Sequence, residues 1–224
     1  NILAKHKGQV QVLEALLLGQ AGLLEVNPRS YPEPDDYLLL LQKEYKFYKN
    51  KYRLKPGGSH IFFLRMRPGN FPTIRLAQLA MLVHQSAHLF DKIKAVNSIK
   101  EVKAWFDITA NDYWHYHYRF GEPSSFKEKK LGTEMTDNII INTIAPVLFA
   151  YGHYHNENKY KEKALRWLEN TAAESNSITK GFQGIGLENK TAFDSQALIE
   201  LKNEYCCKKR CLDCGVGNAL LKKE

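Results

Sequence analysis

The sequence predicts a mainly α fold, an irregular multi-helix domain that closes on a cysteine-containing turn near its C-terminus. Apolar residues recur at steps of three and four along most of the chain, the spacing of one helix face. Glycine and proline, 14 and 8 residues, cut that pattern into pieces of helix length. No segment carries a strong period-two alternation, so no strand is signalled. At 224 residues, 44% apolar and 25% charged, the expectation is one helical domain over residues 1–224, with the loop at 120–133 as its one weak sub-boundary.

The elements follow in order. Gln11 to Leu24 offers Leu13, Leu16, Leu17 and Leu24 to a core and is interrupted or ended by Gly19 and Gly22. Asn27 to Asp36, with Pro28, Pro32 and Pro34, reads as a loop. Leu38, Leu41, Tyr45, Tyr48 and Tyr52 then define the apolar face of the next helix, which the cluster Lys55-Pro56-Gly57-Gly58 stops. Ile61 to Leu64 is too short to class. Asn70 is placed to cap a helix that Pro72 starts, and a periodic run continues from Ile74 to Ile93. Further helices are expected at about 99–118, 134–156, 159–176 and 194–207, the last capped by Asp194 or Ser195. Pro146 must kink the second of these or divide it.

The formal charge is +8. Lys43, Lys46, Lys49, Lys51, Arg53, Lys55, Arg65, Arg67 and Arg75, nine bases against the single acid Glu44, account for all of it between residues 43 and 75. Lys43, Lys46, Lys49 and Arg53 fall on a helix face away from the tyrosines. Arg65, Arg67 and Arg75 surround the helix start at Pro72, where unpaired N–H groups and the helix dipole favour an anion. These seven residues form the candidate phosphate-binding set. The competing reading is a solvated lysine face, with the arginines paired to carboxylates elsewhere.

Two sets of residues suggest metal chemistry. Cys211 and Cys214 form a C-x-x-C followed by Gly215, and Cys206 or Cys207 could add a third thiolate beside Lys208, Lys209 and Arg210. Zinc or an iron–sulfur cluster is one outcome; a redox pair, a disulfide or plain reduced thiols are the others, since no second C-x-x-C completes four ligands. His84 and His88, four apart on a helix, could share a divalent ion, but Gln85 stands where a zinc protease carries its glutamate base. His115 and His117 lie in the aromatic run Tyr113 to Tyr118, and His153 and His155 flank Tyr154. Such clusters pack at core edges, or, where exposed, stack on nucleobases.

Several stretches together resemble an uncharacterised bacterial family, domain of unknown function 2851. They are Leu3 to Lys7, Glu14 to Leu24, Arg65 to Leu79, and Asp194 to Leu198 through the turn Cys211-Leu212-Asp213-Cys214. The arginine loop and the cysteine turn are the most specific of them. The resemblance implies that this chain is the C-terminal half of a longer protein. It also implies that catalytic carboxylates similar to those of the PD-(D/E)xK nuclease fold belong to the other half.

The expected function is therefore a nucleic-acid-binding accessory module of a nuclease-like protein, noncatalytic by itself, whose partners are nucleic acid and its own N-terminal half. A protein-interaction or scaffold domain, and a metal-dependent enzyme using the His and Cys clusters, are the alternatives. No apolar run of eighteen residues crosses a membrane. The chain reads as an excised piece, so targeting encoded upstream is not visible in it; the expected compartment is the cytoplasm.

Overall fold

The computed structural model describes residues 2–25, 35–57, 61, 63, 68–86 and 88–221. The chain is mainly α and divides into two compact units, Asn1–Gly132 and Thr133–Glu224. Most of the proline-containing segment from Asn27, the segment Ile61 to Leu64 in part, and both Arg65 and Arg67 lie outside the described residues.

The first unit is built on α2 (Val10–Gln20), α3 (Asp36–Tyr52) and α4 (Pro72–Gln85), preceded by the single turn α1 (Ile2–Lys5). Leu18 of α2, Leu38 and Leu41 of α3, and Ile74 and Ala77 of α4 meet in a core that Trp114 and Phe120 complete. Gly19 is what lets α3 approach α2. A Cβ there would lie 2.3 Å from the Tyr45 ring, so only glycine leaves the aromatic its seat. Asp35 caps α3 by accepting from Leu38 N at 2.7 Å, and Arg53, at φ 51°, ends it in the left-handed region.

Two expectations need correcting here. Asn70 does not cap α4: it closes a 3-10 turn, Pro68–Asn70, and the N-cap is Phe71, with Pro72 in the first helical turn. The run from Ile74 to Ile93 is two helices, because α4 stops at Gln85 and His88, at φ 59°, leads into α5 (Leu89–Ala95).

The expected helix at 99–118 is also divided, into α6 (Ile99–Trp105) and α7 (Asp112–His115). Between them the backbone pairs across the chain instead of within a helix: Ala110 N bonds Lys129 O and Leu131 N bonds Ile108 O. Asn111 then caps α7 through Tyr113 N, and β1 (His117–Arg119) turns at Gly121, φ 68°, into β2 (Glu122–Pro123).

The second unit runs through α8 (Thr133–Ile139), a π-helical segment Ile140–Ile144, and α9 (Ala145–Tyr154). Pro146 explains the π turn. Lacking an N–H and crowding the carbonyl four residues back, it favours a wider ladder just before it, and Ala145 N bonds Ile140 O, five residues back. Helix α10 (Asn158–Glu169) returns against α9 so closely that a Cβ on Gly152 would lie 2.8 Å from Glu157 O.

Helices α11 (Ser177–Gly184) and α12 (Ala192–Glu200) each open with a reciprocal capping box, Asn176 with Thr179 and Thr191 with Asp194. The N-cap of α12 is thus Thr191, not Asp194 or Ser195. A second π segment, Leu201–Cys206, leads to the cysteine turn and α13 (Gly215–Leu221). Ile140, Ile144, Leu148, Ala164 and Trp167 are the buried apolar centre of this unit.

Candidate functional site

Helix α3 buries one face and offers the other. Leu38 and Leu41 are fully buried, and Tyr45, Tyr48 and Tyr52 are half-buried along the same side, as their spacing requires. Lys43, Lys46, Lys51, Arg53 and Lys55 are exposed. Lys49 departs from the expected solvent face: it is half-buried, its ammonium 5.9 Å from the Tyr45 ring. Lys51 takes the outward position, 5.8 Å from Phe47 and 5.6 Å from Tyr52.

Among the described residues, none of Lys43, Lys46, Lys49, Lys51, Arg53 and Lys55 forms an ion pair. The lysine–carboxylate pairs seen among the described residues lie elsewhere, among them Lys94 with Asp91 at 3.0 Å, Lys130 with Asp107 at 2.7 Å, and Lys159 with Glu157 and Lys190 with Glu188, both at 2.5 Å. Glu44 is the single acid among the charges of α3's last three turns, so the helix cannot neutralise its own lysines.

Arg75 sits in the first turns of α4, half-buried. Its guanidinium donates to Gln78 Oε1 at 2.9 Å and to Asn70 Oδ1. Both acceptors are neutral amides, so the positive charge is held in place without being cancelled, although burial lowers the pKa of the group. Gln78 passes the anchor inward by donating to Lys129 O at 3.0 Å.

The aromatic run does come together. Tyr113 stacks on Tyr37 at 4.2 Å and on His117 at 4.1 Å, and its hydroxyl donates to Asp35. Asp35 is a hub: burial pushes its carboxyl up, but bonds from Tyr113 and from the N–H groups of Leu38 and Gly121 win, and its pKa falls below the ordinary carboxylate value.

Beside it lies a second acid that sequence reasoning missed. Glu14 of α2 is fully buried and accepts from Tyr37 at 2.7 Å, Asn111 at 2.5 Å and Trp114 Nε1 at 3.1 Å. Burial drives its pKa up to about 7, against the opposing bonds from Tyr37 and Trp114. Lys129 is buried too, 3.8 Å from the Tyr118 ring and donating to Lys127 O at 3.0 Å; burial, then the charge of Lys127, lowers its pKa. A charged residue among apolar neighbours, Glu14 between Leu13 and Ala15, was the one available signal. Enclosed as it is by protein donors, Glu14 ties α2, α3 and the start of α7 together.

The histidine and cysteine candidates are placed differently from their sequence pattern. His84 and His88 do not share a helix face, because α4 ends between them: His84 Nδ1 bonds Lys7 O at 2.6 Å, and His88 stands 4.0 Å from Asp91. Cys206, Cys207 and Cys211 are exposed and Cys214 is buried. Among the described residues no three His, Cys, Asp or Glu side chains group closely enough to hold a metal ion. His153 and His155 are exposed on the last turn of α9.

The comparisons with known proteins decide the family. A family model described as Protein of unknown function (DUF2851) matches residues 1–177. The chain belongs to that family. The match spans the first unit and the second through the start of α11. No curated protein and no solved structure matches the chain.

Proposed function

We propose that this family member is a noncatalytic helical module that grips nucleic acid by its phosphates, through Lys43, Lys46, Lys51 and Arg53 of α3 with Arg75 beside them in sequence order on α4. One observation carries the reading: Lys43, Lys46, Lys51, Arg53 and Lys55 stand exposed along one helix and just past its end, with Glu44 as the single acid in that stretch and no carboxylate partner among the described residues. Unneutralised lysines on one rigid helix match a polyanion, which supplies the missing negative charge at many points at once. Arg65 and Arg67 remain candidates of the same set, outside the described residues.

The test is a fluorescence-anisotropy titration of labelled nucleic acid against the wild-type chain and a Lys43→Glu, Lys46→Glu double variant. Binding that weakens at least about tenfold on charge reversal is the expected result, since each reversal replaces an attraction by a repulsion. Equal affinity of the two proteins overturns the reading. A protein-docking module is the second reading, favoured by the exposed apolar side chains Leu212, Val216, Leu220 and Leu221 around α13. Absence of any nucleic-acid binding in that titration passes the function to it.

A further inference from the structure

We infer that the outward face of α3 takes single-stranded nucleic acid, with an unpaired base stacked on Phe47 and the flanking phosphates on Lys43, Lys46 and Lys51. The inference rests on the phosphate-binding reading above and names its substrate class. Phe47 is 60% exposed, although the core side of the helix is already supplied by Leu38, Leu41 and Tyr45. A single exposed aromatic is ordinary; its surroundings are what distinguish this one.

Lys43 and Lys51 lie one turn before and one turn after Phe47 along the same helix row, and Lys46 adjoins it. Lys51 reaches back to within 5.8 Å of the ring, and Tyr48 meets the ring edge-on at 5.0 Å, which braces it in position. A phenyl group held outward between unneutralised ammonium groups offers a flat π surface to a base and charge to the phosphates on either side. Duplex bases are already stacked on each other and have no free face for it, so duplex contacts would use the lysines alone.

An apolar and cationic helix face also suits an anionic bilayer, but there the apolar residues occupy the centre of the outer face and the lysines its flanks. On α3 the centre of the exposed sector is polar: at about 100° per residue, Asp36, Lys43 and Asn50 fall there, splitting Leu39 from Leu40 and Phe47 so that no continuous apolar face forms, and placing a carboxylate where an anionic surface would repel it. The observations therefore favour the nucleic acid.

The experiment measures affinity of the full chain for a labelled mixed-sequence single strand, for its duplex, and for phosphatidylserine vesicles, using wild type, Phe47→Ala and Phe47→Trp. Phe47→Ala is expected to weaken single-strand binding about 5- to 100-fold while leaving duplex binding unchanged. Phe47→Trp should retain the affinity, with its fluorescence quenched on the single strand as the indole stacks. Circular dichroism verifies that this exposed position does not alter the fold. If duplex and single strand bind and Phe47→Ala lowers neither, or both equally, the stacking inference is lost and the phosphate grip stands. Binding to neither nucleic acid removes both, and vesicle binding without nucleic-acid binding does the same.

Discussion

Glu14 gives the first unit a built-in pH dependence. Its carboxyl titrates near 4.5 when exposed and at about 7 in the fold, with burial as the chief cause. The folded chain therefore holds this proton more tightly than the unfolded one. The stability so contributed is complete below about pH 4.5 and is lost as pH rises through about 7, a difference on the order of 3 kcal/mol. Denaturant midpoints measured between pH 5 and pH 8 should fall with rising pH in the wild type and fall much less in Glu14→Gln, whose amide retains an acceptor but cannot ionise. An unchanged slope in the variant would show that another group sets it. Asp35 works in the opposite sense: its lowered pKa stabilises the fold above the ordinary carboxylate range and that gain is lost only in acid, outside this window. Lys49 and Lys51 make the remaining point at this scale. Two residues apart on one helix, one lies over Tyr45 and the other points outward, so a run of lysines is not one equivalent surface.

At the scale of elements, close approach and interruption shape the chain more than helix propensity does. Gly152 sets the distance between α9 and α10, because its missing Cβ is replaced by the backbone of the returning chain at Glu157 and Lys161. Backbone cannot step aside as a side chain can. Gly152→Ala should therefore cost about 1–3 kcal/mol, despite the better helix propensity of alanine, and lower the thermal midpoint. A midpoint that rises would mean the hairpin opens freely. The break after Gln85 has a comparable effect on chemistry: it turns two histidines with ideal helical spacing into residues of different elements. The Pro146 π turn shows the opposite outcome, a breaker absorbed by widening the ladder while α8 and α9 continue as one helical path.

Over the whole molecule the net charge of +8 is concentrated between residues 43 and 75, and the ion pairs seen among the described residues all lie outside that stretch. A chain so polarised should release counterions when it binds a duplex. If about five cations contact phosphates, log affinity should fall against log salt with a slope of about 4.5, read from titrations at several salt concentrations. A slope near zero would mean that these residues are not in the interface. Single-strand binding should show a shallower slope for the same contacts, because single strands carry a thinner counterion atmosphere.

Much of the helical character was legible in the chain, because helix faces advertise themselves by local spacing: Leu38, Leu41, Tyr45, Tyr48 and Tyr52 line up as read, and Gly19 ends up beside Tyr45 for want of a Cβ. The lysine content of α3 was equally visible. What spacing cannot convey is which partner lies across the fold. Whether residues 108–110 continue a helix or pair with 129–131, whether His84 and His88 share a face, and whether a lone glutamate among leucines meets a tyrosine, an asparagine and a tryptophan all depend on contacts tens of residues away. Local spacing by itself determined a mainly helical, cationic chain. Only the tertiary structure decided which charges are paired, which are buried and which are left exposed, because burial and pairing are properties of surroundings that the chain assembles from distant segments.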